Sequence, residues 1–106
     1  MDVIQEQLEA YNARDLERFV ACYAEDVVAE DGAGNVTRTG RDDLRRHYGP
    51  MFQAHPDLHC RIANRIRVGN YVIDEELITG RGPEEIHAVA IYTVEGHQIA
   101  HVRFLR

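Results

Sequence analysis

The sequence predicts an α+β fold in which helices pack on one face of a curved, mostly antiparallel sheet. Two observations carry that class. The first half of the chain reads in turn as helix, helix, short strand hairpin and helix. The second half, after Pro56, keeps a period of two almost to its end, interrupted by glycine-bearing turns.

The first helix rests on Val3, Ile4, Leu8 and Tyr11, with Asp2 placed to cap it. The segment from Asn12 to Asp15 breaks the run, and Asp15 caps a second helix whose apolar stripe is Leu16, Phe19, Val20 and Tyr23. From Asp26 the pattern turns to strand: Val27 and Val28, the acidic pair Glu30 and Asp31, then a hairpin turn rich in residues that tolerate positive φ (Asp31-Gly32, Gly34-Asn35). Val36 to Thr39 is the return strand. Thr39 or Gly40 opens a third helix with Asp42 and Asp43 in its first turn, where the macrodipole favours anions. Leu44, Tyr48, Met51 and Phe52 form its apolar face, and Gly49-Pro50 is expected to bend or interrupt it.

Leu58, Cys60, Ile62, Asn64, Ile66 and Val68 alternate with His59, Arg61, Ala63, Arg65 and Arg67 over eleven residues, so Asn64 is expected on the apolar face. Gly69-Asn70 turns the chain into a strand from Tyr71 to Thr79, with Val72, Asp74, Glu76 and Ile78 on one side. Gly80-Arg81-Gly82-Pro83 is the strongest turn signal, and strands Glu85 to Val94 and Gln98 to Leu105 follow. The strand from Glu85 is apolar on both faces (Ile86, Ala88, Ala90, Tyr92; Val89, Ile91) and must be covered on both. Three short helices cover one face of a sheet; a second copy of the chain is the natural cover for the other, so a homodimer is expected.

The totals narrow the class further. A chain of 106 residues makes one domain, 1–106, and buries roughly two thirds of its unfolded surface. The formal charge of −6 argues against a nucleic-acid partner. No apolar run approaches the ~20 residues of a membrane span, and no signal-peptide pattern is present, so no membrane partner and a cytoplasmic location are expected. Cys22 and Cys60 lack CxxC spacing and are expected as buried thiols. Neither a GxGxxG nor a P-loop occurs, so no cofactor is expected, and the six histidines show no HxH or HExxH spacing, so no metal site is expected.

The run YNARDLERFVACYAEDVVAEDGAGNVTRTGRDDLRRHY and the ending VEGHQIAHVRFL carry a resemblance. An Asn-x-x-Asp-Leu turn (Asn12, Asp15, Leu16), an acidic stretch before the first strand, a strand acid, and a Gly-Arg-x-x-Leu helix start (Gly40, Arg41, Leu44) are similar to the nuclear transport factor 2-like superfamily, in its SnoaL-like and ketosteroid-isomerase-like branches. The resemblance implies a cone-shaped half-open barrel with three helices on one face and a small-molecule hollow between sheet and helices. It implies a cofactor-independent isomerase, cyclase or hydrolase acting on a small hydrophobic molecule, or a binding or dimerisation module on the same fold. Asp31 matches the strand aspartate that acts as proton-shuttling base in the isomerases, where an apolar pocket lifts a carboxyl pKa. By an ungapped count the oxyanion tyrosine of those enzymes falls at Gln7 and the oxyanion aspartate near Ala90. The plainer reading of Glu30 and Asp31 is a solvated Asp-Gly turn.

The other candidates follow from the strand faces. Asp74 and Glu76 either line a pocket, where like charges raise one carboxyl pKa, or pair with the arginine row of the adjacent strand. Asp74 is taken with Asp31 as the catalytic pair. Asn64 either satisfies a buried carbonyl or points into the hollow. Tyr48, Phe52 and Tyr92 are candidate ligand contacts, as is His101, which with His87 faces either an acid–base site or the dimer.

Overall fold

The structure, a computed structural model, describes residues 2–106. In chain order the elements are α1 (Val3–Ala13), α2 (Leu16–Ala21), β1 (Tyr23–Glu30), β2 (Val36–Thr39), α3 (Gly40–Ala54), β3 (His59–Val68), β4 (Tyr71–Thr79), β5 (Ile86–Glu95) and β6 (Gln98–Leu105). The strands form one unclosed sheet in the order β2-β1-β6-β5-β4-β3. Every neighbouring pair is antiparallel except β1 and β6, which run parallel. Helices cover the inner face of this mixed, mostly antiparallel sheet, as the α+β reading expects. None of them is long and apolar enough to cross a membrane.

Local chemistry explains the motifs at the helix ends. Asp2 caps α1 by accepting from the Ile4 and Gln5 amides, and Asp15 caps α2 through the Arg18 amide. Asn12 between them pairs with the β3 backbone: its amide donates to the Cys60 carbonyl and its oxygen accepts from the Cys60 amide, at 3.0 and 2.7 Å. Arg14 adds a bond to the Leu58 carbonyl. The Asn-x-x-Asp turn is therefore a clamp between the helical layer and the end of the sheet. At the start of α3, Gly40 takes φ +80°, and Arg41 Nε donates to the Tyr23 carbonyl at 2.8 Å. That bond fixes α3 against β1.

The inner face and the helices share one core, in which Phe19, Val20, Leu44, Tyr48 and Phe52 meet Tyr23, Val27, Ala90, Tyr92 and Val102. Burying each large side chain is worth ~1.5–3 kcal/mol. This packing overrides two local expectations. Tyr23 opens β1 instead of closing α2, since the helix ends at Ala21. And α3 runs through Gly49-Pro50 without a break; Tyr48 and Phe52, on either side of the exposed Pro50, are both buried and hold the helix on course.

A β-bulge between Ile62 and Asn64 changes the faces of β3. Cys60 and Ile62 pair with Ile78 and Glu76 on the inner side, but beyond the bulge Asn64 pairs with Glu75 and Arg65 with Asp74. The eleven-residue alternation expected for this strand is thus broken in its middle, and every later side chain sits on the face opposite to the one expected.

The turn after β4 packs closely against the backbone of Asp57 and Leu58. Gly80 has φ +87°, and a Cβ there would stand 2.2 Å from the Asp57 carbonyl oxygen. Gly80→Ala is therefore expected to lower stability by at least ~2 kcal/mol, from the left-handed backbone and the clash together. Urea unfolding followed by circular dichroism measures it.

Candidate functional site

Between helices and sheet lies a cavity of about 40 Å3, whose lining includes Gln7, Tyr11, Tyr23, Tyr48, Glu76 and Tyr92. Its mouth opens on an outer vestibule of about 450 Å3. His47, Tyr48, Arg81, Phe104 and Arg106 line both spaces.

The closed end of the cone is a polar relay in an apolar wall. Tyr23 Oη donates to Gln7 Oε1 at 3.3 Å, Gln7 Nε2 donates to Tyr92 Oη at 3.2 Å, and Tyr92 Oη donates to Glu76 Oε2 at 3.4 Å. All four residues are buried. Burial and then the neighbouring Asp74 charge push the Glu76 carboxyl up from 4.5 to about 7, against the pull of the Tyr92 hydroxyl. Glu76 therefore exchanges its proton near neutral pH.

Asp74, on the same strand face, has no exposed side-chain surface and forms a two-point pair with Arg65, Nε to Oδ1 at 2.6 Å and Nη2 to Oδ2 at 2.9 Å. The β3 bulge creates this pair by turning Arg65 inward. Asp74 is not among the cavity residues; Glu76 is.

Two hydroxyls remain open to a ligand. Among the described residues, Tyr11 and Tyr48 bond no protein group through their side chains, and no buried side-chain polar atom lacks a partner. Both hydroxyls thus reach the open volume. Burial raises both phenols, Tyr48 to about 12, so they stay protonated donors. Tyr11, Phe19, Tyr48 and Phe52 form a ring cluster with centroids 4.7 to 6.4 Å apart. At the mouth, Arg38 Nη2 donates to His47 Nδ1 at 2.8 Å, which leaves the proton of a neutral His47 on Nε2. Burial, then Arg38, Arg81 and Arg106, push this imidazole down to about 4.

The expected residues are redistributed by this geometry. Asp31 stands at the vestibule rim. One oxygen accepts from the Ala33 and Asn35 amides at 2.9 and 3.0 Å, and the other from Asn35 Nδ2 at 3.0 Å. Those bonds, led by Asn35, lower its pKa, so the desolvation expected to lift it is outweighed. Asn64 is a correction: the bulge puts it on the outer face, donating to Glu75 at 2.7 Å, a carboxylate that also meets His87 at 2.7 Å. His101 is likewise outside the cavity, paired with Glu30 at 2.7 Å, and Arg103 holds the other Glu30 oxygen. His87 and His101 do not approach each other, because His101 stands opposite Thr93, well along β5 from His87. Phe52 backs the ring cluster without lining the cavity, whereas Tyr48 and Tyr92 do line it. Cys22 and Cys60 are buried free thiols.

His47, Arg81 and Arg106 were not singled out, and Glu76 was weighed beside Asp74 but not taken into the catalytic pair. His47 falls between Leu44 and Met51 at the helical spacing of the apolar face, a signal that was present. Glu76 shares its face with Asp74, and only the bulge decides which of the two pairs with arginine. Arg81 and Arg106 had no signal, because a loop and a chain end carry no period.

An unclosed six-stranded sheet with three helices on its inner face is the cone fold of the nuclear transport factor 2-like kind. Residues 4–102 match the SnoaL-like domain family, and the chain belongs to it. An uncharacterized cystatin fold protein from Novosphingobium aromaticivorans is similar at 30% identity and TM-score 0.89, over 98% of this chain and 95% of that one. A "putative polyketide cyclase" from Sinorhizobium meliloti aligns at 18% identity and TM-score 0.84, over 98% and 94%. A "putative ketosteroid isomerase" from Kribbella flavida aligns at 24% identity and TM-score 0.79, over 97% and 73%. No curated protein matches.

Proposed function

We propose that the protein binds a small apolar molecule bearing a carbonyl group and moves a proton on it, with Glu76 as the acid–base group. The observation that carries this reading is the Glu76 carboxyl, buried at the end of the cavity and poised at about 7. In the step proposed, the Glu76 carboxylate takes a proton from the carbon next to the carbonyl. That C–H bond breaks, its electron pair moves into an enolate, and Tyr48 or Tyr11 donates a hydrogen bond to the developing oxyanion. Return of the proton to another carbon is isomerisation; attack of the enolate on a second carbonyl is cyclisation. The two structural relatives named for those reactions share the fold with this chain and support the choice of reaction class.

Asp31 remains the rim candidate, but its turn bonds stabilise the charged form and make it the weaker base. The test is hydrogen–deuterium exchange at the methyl group of acetophenone in deuterium oxide, followed by proton NMR. Exchange above the buffer rate that survives Asp31→Asn and is lost in Glu76→Gln supports the reading; exchange unaffected by Glu76→Gln sinks it. A second reading is a non-catalytic binding or dimerisation module. It is favoured by the small cavity and by the relay's polar groups being satisfied among themselves, and it predicts binding without exchange.

A homodimer is proposed to cover the outer sheet face. Ile66, Val68 and Tyr71 are exposed there, at 54%, 61% and 49%, next to the partly buried Ile73 and Ile91. Sedimentation is expected to find a dimer that Ile66→Asp converts to monomer; a monomeric unmutated chain would refute the interface.

A further inference from the structure

The vestibule carries cationic groups that the proton chemistry does not use. All twelve basic side chains of this chain are arginines, in a sequence of net charge −6. Arg18, Arg45, Arg46, Arg65, Arg67 and Arg103 each pair with a carboxylate, while Arg14 and Arg41 donate to backbone carbonyls. Of the remaining four, Arg38, Arg81 and Arg106 converge on the vestibule, and none of the three has a carboxylate partner among the described residues. An acidic chain that pairs six of its arginines with carboxylates leaves three others together at the mouth of its pocket.

Among the described residues, the carboxylates of the vestibule form no ion pair with them. Glu30 is committed to His101 and Arg103, and both oxygens of Asp31 are occupied by its own turn. His47, between Arg38 and the cavity, is bonded through Nδ1 in its neutral form and leaves Nε2–H as a further donor. Guanidinium forks match carboxylate geometry and hold it by two parallel bonds, which a row of lysines would not do.

We propose that the arginines of the vestibule bind a carboxylate of the ligand, so that the ligand is a small carboxylic acid whose apolar, carbonyl-bearing end enters the aromatic cavity. This rests on the small-molecule reading above and adds the substrate class. The acid stays at the mouth, where Arg38 and Arg81 meet it in partly solvated surroundings. The carbonyl end reaches the tyrosine hydroxyls and Glu76, where a second anion would be repelled.

The probes are β-benzoylpropionate and its primary amide, β-benzoylpropionamide, titrated into the unmutated protein by calorimetry and by amide NMR shifts. The acid is expected to bind about tenfold more tightly than the amide, as charge-assisted bonds imply, and added sodium chloride should narrow the difference. Arg81→Gln and Arg38→Gln should each weaken the acid several-fold and leave the amide unchanged, whereas Arg61→Gln, on the outer face, should alter neither. Equal affinities for acid and amide, an equal loss of both in the Arg81 and Arg38 variants, or no binding of the acid at millimolar concentration would each overturn the proposal. Exchange at the carbon next to the ketone separates the two claims. A preference for the acid without exchange leaves the anion site standing and removes proton transfer; exchange without that preference does the reverse.

Discussion

Glu76→Gln is expected to abolish proton exchange, lowering its rate roughly 10²–10⁴-fold, the contribution of a positioned base. It should also make the protein more stable at alkaline pH. Folding raises the Glu76 pKa from 4.5 to about 7, so the folded state binds this proton more tightly than the unfolded one. The stability linked to it is fully present below 4.5 and is lost as pH rises through about 7, on the order of 3 kcal/mol in all. The glutamine variant carries no such proton. Its unfolding free energy relative to the unmutated chain should therefore be level at acidic pH and climb across that window. Denaturation series at several pH values read the difference directly and cancel the carboxylates common to both proteins.

Asp74→Asn should have the largest structural effect. It removes one charge from the buried two-point pair with Arg65 and leaves a guanidinium in a poorly solvated place, which costs ~3–5 kcal/mol. In a domain of this size that is a large share of the total. Arg65→Met combined with Asp74→Leu should recover most of the loss, because it removes both charges and keeps the volume. If the single asparagine variant unfolds at the same urea concentration as the unmutated chain, the pair has no structural weight. Asp74 would then be free for chemistry.

The contrast between these two carboxylates shows what could be read beforehand. Periodicity placed Asp74 and Glu76 on the same face of β4, and that placement holds. Which of them meets an arginine depends on one extra residue in β3, and a bulge leaves no mark in an alternating pattern. Arg65 and Asn64 exchanged faces for the same reason, so one irregularity both takes Asn64 out of the hollow and brings Asp74 its arginine. The fold was far more legible, because its signals are redundant: caps, turn glycines and apolar stripes each point to the same elements. The site depends on side chains brought together from α1, β1, β4 and β5, namely Gln7, Tyr23, Glu76 and Tyr92. Only tertiary packing relates those positions. Asp31 illustrates the opposite hazard, since its place in the sequence matched a known strand base while in the structure it lies just past β1, where its turn, Asp-Gly-Ala-Gly-Asn, consumes the same oxygens.

The central claim, that Glu76 is the proton carrier at the apex of the cone, is tested most directly by carbon-13 NMR titration of the glutamate side-chain carboxyls, with Glu76 assigned from its missing signal in Glu76→Gln. The account predicts one glutamate titrating at about 7, with Glu30 and Glu75, held by their hydrogen-bond partners, titrating below the usual carboxylate range. A Glu76 signal that titrates among ordinary carboxyls would contradict it.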